Sequence, residues 1–418
     1  MDAVKYIDDL AKAARSAAGV LAVSKGAARN EAIKACAKAV RDAKADILAA
    51  NRKDVAASRK SHLTPPMIKR LTLDDKRVEA MAAALEEIAR QVDPVGKAID
   101  AYNRPNGLRI EKRRVPIGVI GIIYESRPNV TADAAGLCIK SGNACILRGG
   151  KEAVNSNAAI AKAVRKALAA AHLPAECVTV IDNTDHAVVT AMAKAEGLID
   201  LIIPRGGEGL IRAVAEAATI PVIKHYAGNC HVYVHAEADL DMAEKVAINA
   251  KCQYPAVCNA METLLVDAAV AKEFLPRAAK KLTDAGVELR GCEKSRKLVK
   301  EMKQATEDDW RKEYLDLILA VKVVDSLDAA IEHINTYGSK HTDAIVTRSI
   351  AAAERFAAGV DSSSVMVNAS TRLSDGGVYG LGAEIGISTD KLHARGPMGA
   401  EDLTTYKWIV TGQGHVRE

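Results

Sequence analysis

Residues 117–124 read Ile-Gly-Val-Ile-Gly-Ile-Ile-Tyr, a continuous apolar run. A run of this kind is typical of a strand that is covered on both faces, as in a parallel sheet. Beyond it the sequence alternates between predicted helices near 131–141, 156–171 and 186–196 and predicted strands near 144–147, 178–181 and 198–203. This alternation predicts a doubly wound α/β domain, in which ligands bind at the carboxyl ends of the strands.

A second alternation of the same kind begins near Val232 and ends at Val367. Its predicted elements include a helix over 240–252 and strands near 263–266, 317–324 and 343–347. The predicted fold class is therefore α/β, with two doubly wound domains. Residues 1 to about 92 are instead Ala-rich, with apolar residues at three-to-four spacing, which predicts packed helices that act as scaffold.

The C-terminal stretch from Thr404 to Thr411 reads as a strand with no obvious partner in the chain. A strand without an internal partner often pairs with another segment or another subunit. Pro105-Asn106-Gly107 is a turn signal between two short extended stretches, which predicts a further pair of strands outside the two main sheets.

Length and composition exclude several classes of protein. At 418 residues the chain is too long for one ordinary core, so two or three structural units are expected. The net charge of +5 is small and aromatic residues make up only 3%, which opposes the alternative of a basic polyanion-binding protein and any role in binding nucleic acid. No apolar run approaches the length of a membrane span and the N-terminus shows no apolar signal segment, so we expect no membrane partner and a cytoplasmic location.

The eight cysteines include no C-x-x-C pair and no His/Cys cluster with zinc spacing, so no metal site is predicted. Cys258 stands on a predicted loop between a helix and the apolar run Leu264-Leu265-Val266. A cysteine on a loop that leads into a buried strand can be held rigidly with its sulfur exposed, as a covalent nucleophile requires. Position alone leaves a structural role as the alternative, which is also the interpretation of the neighbouring Cys252.

Two strand-to-helix loops have the pattern of phosphate-binding or cofactor-binding loops. The first carries Arg148, Gly149, Gly150 and Lys151, and the second carries Arg205, Gly206 and Gly207. Paired glycines before a helix let backbone N–H groups and the helix dipole face an anion. Neither loop is a G-x-G-x-x-G motif, so a plain turn is the alternative. The cations Arg148 and Lys151 would suit a 2′-phosphate, which favours NADP over NAD.

Two further polar stretches are candidates for substrate contacts. After the first apolar strand, Ser126 and Asn129 can donate hydrogen bonds to an oxyanion, and Arg127 can hold a carboxylate or a phosphate. The alternative for this stretch is a helix N-terminus, and both interpretations can hold together. Farther along, His341 with Asp343 suggests a general base or a substrate contact, although most loop histidines are structural.

Five separated segments resemble the γ-glutamyl phosphate reductase (glutamate-5-semialdehyde dehydrogenase) family of the aldehyde dehydrogenase superfamily. The most specific is the segment from Val324 to Ile345, which contains Tyr337-Gly338-Ser339 and His341-Thr342-Asp343. The other four are Tyr124-Glu125-Ser126-Arg127-Pro128, Leu147-Arg148-Gly149-Gly150, Ile203-Pro204-Arg205-Gly206-Gly207 and Val257-Cys258-Asn259-Ala260-Met261-Glu262-Thr263. The resemblance covers almost the whole chain.

The resemblance implies NADPH-dependent reduction of L-glutamyl 5-phosphate to L-glutamate 5-semialdehyde, with release of phosphate, in proline biosynthesis. It places the catalytic cysteine on Cys258, and Glu313 falls where the wider superfamily has a glutamate that holds the nicotinamide ribose. It also implies a homo-oligomer and glutamate 5-kinase as a channelling partner.

The same resemblance implies a division of the chain into three parts. The NADP-binding domain with the N-terminal helices is expected at 1–100 and 116–228, and the catalytic domain with Cys258 at 229–360. The oligomerisation strands are expected at 101–115 and 396–418, and residues 361–395 are expected to return the chain to the cofactor domain.

One stretch departs from the wider superfamily. Hydrolytic aldehyde dehydrogenases have a Glu-Leu-Gly-Gly-Lys stretch whose glutamate activates water, and the matching residues here, 225–229, read His-Tyr-Ala-Gly-Asn, without a carboxylate. A reductive enzyme must keep water off its thioester, so this absence opposes the alternative of a hydrolytic NAD(P)-dependent aldehyde dehydrogenase. We therefore expect no water-activating base beside Cys258.

Overall fold

The computed structural model describes residues 2–417, which divide into two units. The first unit contains the residues up to Lys224, Gly380–Gly386 and the residues from Met398 onward, and the second contains His225–Tyr379 and Ile387–Pro397. Within the described range, no helix has both the length and the apolar character needed to cross a membrane.

The helices and strands are numbered in chain order. The α-helices are α1 (Ala3–Val23), α2 (Gly26–Asp42), α3 (Lys44–Lys60), α4 (Pro65–Leu71), α5 (Asp75–Arg90), α6 (Asn129–Lys140), α7 (Val154–Ala170), α8 (His186–Ala193), α9 (Glu208–Ala217), α10 (Leu240–Cys252), α11 (Ala268–Asp284), α12 (Glu293–Leu298), α13 (Leu327–Tyr337) and α14 (Ile350–Gly359). The strands are β1 (Ala98–Asn103), β2 (Arg109–Pro116), β3 (Val119–Tyr124), β4 (Ala144–Gly149), β5 (Val178–Val180), β6 (Leu201–Arg205), β7 (Cys230–Val234), β8 (Met261–Asp267), β9 (Glu288–Gly291), β10 (Lys303–Gln304), β11 (Ile318–Val324), β12 (Thr342–Val346), β13 (Ser364–Val367), β14 (Gly386–Ser388), β15 (Gly396–Met398) and β16 (Thr404–Thr411).

The first unit is built on a parallel sheet with the strand order β5-β4-β3-β6. Every residue of β3 is buried, which confirms that the apolar run near residue 120 is a strand covered on both faces. The helix α1 packs Ile7 and Ala11 into the same core as Ile123 and Ile146. Small alanine side chains let the helices approach the sheet closely, so this core forms with few aromatic residues.

A small antiparallel sheet, with the order β1-β2-β16, belongs to the same unit. β16 pairs with β2 along its full length, from Thr404 opposite Pro116 to Thr411 opposite Arg109. The C-terminal strand therefore pairs with another segment of the same chain, which is one of the two partners that the sequence left open. The turn predicted at residues 105–107 does join two strands, because β1 pairs with β2 in antiparallel register.

The second unit contains a seven-stranded parallel sheet with the order β10-β9-β11-β8-β7-β12-β13. Helices flank it, and α10 begins where the Asp239 carboxylate accepts hydrogen bonds from the N–H groups of Asp241 and Met242. The central strand β8 is buried along its whole length. Two parallel sheets with flanking helices confirm the predicted α/β class. The assignment of cofactor-binding, catalytic and oligomerisation roles to separate segments remains a prediction.

Candidate active site

Three loops of the first unit follow β3, β4 and β6, which are neighbours in its parallel sheet. Because the carboxyl ends of parallel strands meet at one edge of a sheet, the loops lie together, as predicted for a ligand site. These loops, with the strand and helix ends that border them, carry most of the residues singled out in the sequence, namely Ser126, Arg127, Asn129, Arg148, Gly149, Gly150, Lys151, Arg205, Gly206 and Gly207.

The loop after β3 is held by Glu152. The carboxylate oxygen Oε1 of Glu152 accepts hydrogen bonds from both the backbone N–H (2.6 Å) and the hydroxyl (2.8 Å) of Ser126. Ser126 has a φ of 41°, in the left-handed region that non-glycine residues rarely adopt. The serine proposed as an oxyanion donor therefore has its hydroxyl bonded to a carboxylate in this structure.

The loop after β6 shows the chemistry of an anion site. Gly207 immediately precedes α9, and its N–H donates to Oε2 of Glu125 at 2.8 Å. The Glu125 carboxylate is therefore bound at the N-terminus of this helix, as an anionic ligand would be. A Cβ on Gly206 would lie 2.5 Å from the same Oε2, and one on Gly149 would lie 2.0 Å from Nδ2 of Asn157. Side chains at Gly206 and Gly149 would therefore fill the space next to the backbone of these loops. The space that the glycines leave fits the close approach of a phosphate to the backbone.

The cations of these loops have different surroundings. The guanidinium of Arg148 is buried and donates to the carbonyls of Gly149 and Thr184, and burial lowers its pKa. Arg148 thus holds the loop, and the exposed Lys151 is the cation that faces solvent. Arg205 forms an ion pair with Glu384 at 3.1 Å.

Asn129 lies at the start of α6, where its amide donates to Asp133 at 2.9 Å. Arg127 is half-buried in the same loop, and its carbonyl accepts the N–H of Val130. The helix N-terminus that was the alternative interpretation of this stretch is therefore present.

In the second unit a cluster forms around Cys258. Ring nitrogens of His225 and His341 and the sulfur of Cys258 all lie within 4.8 Å of one another, and the two imidazole rings meet edge to face. His225 precedes β7, Cys258 precedes β8 and His341 precedes β12. The order β8-β7-β12 makes these strands neighbours, so the cluster lies at the amino ends of the strands, as the predicted position of Cys258 on a loop leading into a strand requires.

His225 is the member of this cluster to which the sequence assigned no role. Residues 225–229 lack the carboxylate of the hydrolytic enzymes, and the imidazole of His225 stands beside Cys258 instead, as a group that can accept a proton. The expectation that no water-activating base lies beside Cys258 stays a prediction, because an imidazole next to a thiol can accept the thiol proton without activating water. The position of His225 opposite the glutamate of the hydrolytic enzymes was the signal that could have indicated it.

Close backbone packing fixes the position of Cys258. A Cβ on Gly228 would lie 1.9 Å from the Cys258 carbonyl oxygen and 2.4 Å from its Cα, so only glycine fits there. The Cys230 thiol donates to the same carbonyl at 3.2 Å. On the other side, Arg372 donates to the side-chain oxygens of both Gln253 and Asn259, which bracket the loop. A rigid loop of this kind presents a nucleophile in one position.

Glu313 contacts Gly228, the glycine that packs against Cys258. Its carboxylate accepts the Gly228 N–H at 2.8 Å. The glutamate predicted to contact the nicotinamide ribose therefore also supports the glycine that packs against Cys258. The structure thus places Cys258, His341 and Glu313 in one region of the second unit.

The interpretation that Asp343 works with His341 stays a prediction, and the structure gives two other partners of the Asp343 carboxylate. Its Oδ1 accepts hydrogen bonds from both the backbone N–H and the Nδ1 of His231, each at 2.8 Å, and Ser362 donates to its Oδ2.

Burial, with His231 and Lys322 adding to it, lowers the pKa of His333 to about 2, so this ring is neutral. Much of the most specific family segment therefore forms buried structure, and His341 is its member in the cluster.

An ion pair with no solvent exposure, Lys251 with Glu262, lies beneath the Cys258 loop at 2.6 Å. The other carboxylate oxygen of Glu262 accepts the N–H of Leu315 at 3.2 Å. Burial raises the pKa of Glu262 and lowers that of Lys251, while the mutual attraction of the two charges opposes both shifts. The pair links the end of α10 to the start of β8, and so holds together the two ends of the loop that carries Cys258.

Replacement Lys251→Met is expected to destabilise the protein by about 3–5 kcal/mol, because it leaves a buried carboxylate without its partner. The double replacement Lys251→Met with Glu262→Leu is expected to recover most of this loss. Chemical denaturation measures both, with Lys245→Met, an exposed lysine on the same helix, as the control that changes stability by less than about 0.5 kcal/mol. A single variant as stable as the control would show that the ion pair is unimportant.

Comparisons with known proteins identify the family. The model of the aldehyde dehydrogenase family matches residues 2–292. A γ-glutamyl phosphate reductase from Moorella thermoacetica is 54% identical over 405 residues, which are 97% of this chain and 97% of that protein. The crystal structure of γ-glutamyl phosphate reductase from Thermotoga maritima superposes with a TM-score of 0.96 at 49% identity, covering 98% of this chain and 99% of that one. That from Saccharomyces cerevisiae gives a TM-score of 0.55 at 32% identity, with 98% of each chain covered.

The matches to the three γ-glutamyl phosphate reductases extend over nearly the whole chain and include both units. Members of the aldehyde dehydrogenase family use a nicotinamide cofactor, and the glycine-containing loops of the first unit are those for which cofactor binding was predicted. The chain belongs to the aldehyde dehydrogenase family and, within it, to the γ-glutamyl phosphate reductases.

Proposed function

We propose that this protein reduces L-glutamyl 5-phosphate to L-glutamate 5-semialdehyde with NADPH and releases phosphate, as a step of proline biosynthesis. The single observation that carries the chemistry is the cluster in which the Cys258 sulfur lies within 4.8 Å of two imidazole nitrogens. The names and high identity of the relatives support the substrate.

In this mechanism the Cys258 thiol loses its proton to the imidazole of His225, and the thiolate attacks the acyl phosphate carbonyl. The carbon–oxygen bond to phosphate breaks, phosphate leaves with the electron pair, and a glutamyl thioester remains on Cys258. Phosphate is a good leaving group, so little general-acid help is needed. When bound, NADPH supplies the hydride that brings the thioester to the oxidation level of the aldehyde.

The residues that would hold the cofactor are those of the two glycine-containing loops, together with Glu313. The N–H groups before α9 would bind the pyrophosphate, which would displace the Glu125 carboxylate from the N–H of Gly207. The exposed ammonium of Lys151 would suit the 2′-phosphate and favour NADPH over NADH, with Arg148 holding the loop behind it. Arg127, Asn129 and His341 are the proposed substrate contacts, and Ser126 the proposed oxyanion donor.

The reverse reaction tests this function. With glutamate 5-semialdehyde and NADP, reduction of the cofactor is expected to require phosphate or arsenate, because one of these anions must release the glutamyl group from the thioester. NAD is expected to be the poorer substrate of the two cofactors. Spectrophotometry at matched cofactor concentrations measures both effects. Equal turnover without phosphate would show that His225 activates water and that the enzyme is hydrolytic.

We also propose that β16 mediates self-association. It forms an edge of the sheet β1-β2-β16, and Tyr406, Trp408 and Val410 project from one face of the strand with 48%, 52% and 56% of their surface exposed. An exposed apolar edge of this kind readily pairs with a second copy. Trp408→Lys is expected to convert a homo-oligomer into monomers in sedimentation velocity. An unchanged sedimentation coefficient would exclude this surface, and added glutamate 5-kinase tests the proposed channelling partner in the same experiment.

A further inference from the structure

The side chains of His225, Cys258 and His341 could bind a metal ion as well as take part in acyl transfer. Two imidazoles and a thiolate, each offering one atom within 4.8 Å of the other two, form the kind of ligand set that Zn²⁺ prefers. The three residues are far apart in the sequence and none has a metal-binding spacing, so the set is created by the order of the strands.

The distances are close to those that a metal would impose. With zinc–nitrogen bonds of about 2.0–2.1 Å and a zinc–sulfur bond of about 2.3 Å, tetrahedral ligand atoms lie about 3.3–3.6 Å apart. Ligand atoms within 4.8 Å therefore need to approach by about 1 Å. His225 and Cys258 are partly exposed and can make this adjustment through their side-chain torsions.

The third ligand is already oriented. His341 has no exposed surface, and its Nδ1 lies 2.9 Å from the Thr342 hydroxyl and 3.8 Å from the Cys230 sulfur. Ligating histidines in metal sites are commonly fixed by a hydrogen bond from their second ring nitrogen, which orients the ring. The cluster thus combines one rigid ligand with two adjustable ones, and water can supply a fourth.

We infer that His225, Cys258 and His341 form an inhibitory binding site for a thiophilic divalent cation such as Zn²⁺. Binding replaces the thiol proton, which is released to solvent, by a sulfur–metal bond. The lone pair needed for attack on the acyl phosphate is then held by the metal, so the enzyme is inactive until a chelator removes the ion. This inference concerns the metal alone and does not depend on which acyl substrate the enzyme uses.

Metal binding can be measured without any enzyme assay. The chelator-treated full-length protein is titrated with Co²⁺, whose thiolate complexes absorb by ligand-to-metal charge transfer, and with Zn²⁺ in a calorimeter. We expect one ion per chain and a charge-transfer band in the wild-type protein and in Cys252→Ser. Cys252 serves as the control because it lies on α10 outside the cluster. Cys258→Ser should lose the band, and His225→Gln should bind at least about tenfold more weakly.

Wild-type protein in which Cys258 has been alkylated replaces the serine variant if that variant does not fold, and it should also lack the band. Absence of a charge-transfer band in the wild-type protein would overturn the inference. An affinity of His225→Gln within twofold of wild type would do the same, because the ion would then lie elsewhere.

Discussion

Replacement of Cys258 by serine is expected to lower kcat/KM for the reductase reaction by at least about 10³-fold, since the hydroxyl is a far weaker nucleophile than a thiolate. The side chain is partly exposed and serine is nearly isosteric, so the fold should be retained and the loss should be chemical. Steady-state NADPH oxidation with glutamyl phosphate measures the effect, and thermal unfolding verifies that the variant is folded.

Cys252→Ser is the matched control for this replacement. Cys252 ends α10, and burial raises the pKa of its thiol, which makes it a poor nucleophile at neutral pH. Its activity should lie within about twofold of wild type. Retention of more than a few per cent of activity in Cys258→Ser, with the control unchanged, would exclude a covalent intermediate on this sulfur.

Replacement of Gly228 by alanine is expected to lower kcat/KM by about 10²-fold, although Gly228 has no side chain that reacts. The added methyl group would overlap the Cys258 carbonyl at 1.9 Å, and this neighbour is backbone that cannot rotate away. The Cys258 loop must shift, and a displacement of about 1 Å in an active site is enough for a loss of this size.

Two measurements separate misplacement from unfolding. The rate of Cys258 alkylation reports the position of the sulfur, and the melting temperature reports the fold. Gly19→Ala is the control, because Gly19 lies in α1 with nothing within 4 Å of the added methyl, and alanine favours a helix by about 1 kcal/mol over glycine. Wild-type activity in Gly228→Ala would show that this close packing does not position the nucleophile.

Local patterns predicted much of the fold because they depend on residues near one another in sequence. The buried strand β3 and the helix α10 with the Cys258 loop after it follow from runs of apolar residues and from helical spacing. The partner of β16 did not follow, because β2 lies almost 300 residues earlier and an antiparallel pair of this separation leaves no local signal. Strand order is decided by packing of the whole unit.

The same limit applies to the site. Cys258 could be singled out from its loop, but the approach of His225 requires β7 and β8 to be neighbours in the sheet. Likewise, the pairing of Asp343 with His231 joins β12 to β7, and these residues lie more than 100 positions apart in the sequence, which gives no local signal of the bond. Ser126 was a candidate donor by residue type, and its bond to Glu152 depends on the neighbouring positions of β3 and β4.

The most direct test of the central claim is mass spectrometry of the protein after a single turnover in the reverse direction. Glutamate 5-semialdehyde and NADP are mixed with enzyme in the absence of phosphate, and the protein is quenched in acid and digested. We expect one equivalent of NADPH per active site and a glutamyl group on the peptide that contains Cys258, released when phosphate is added before the quench. A burst of NADPH with no acylated Cys258, or acylation of another residue, would contradict the thioester mechanism.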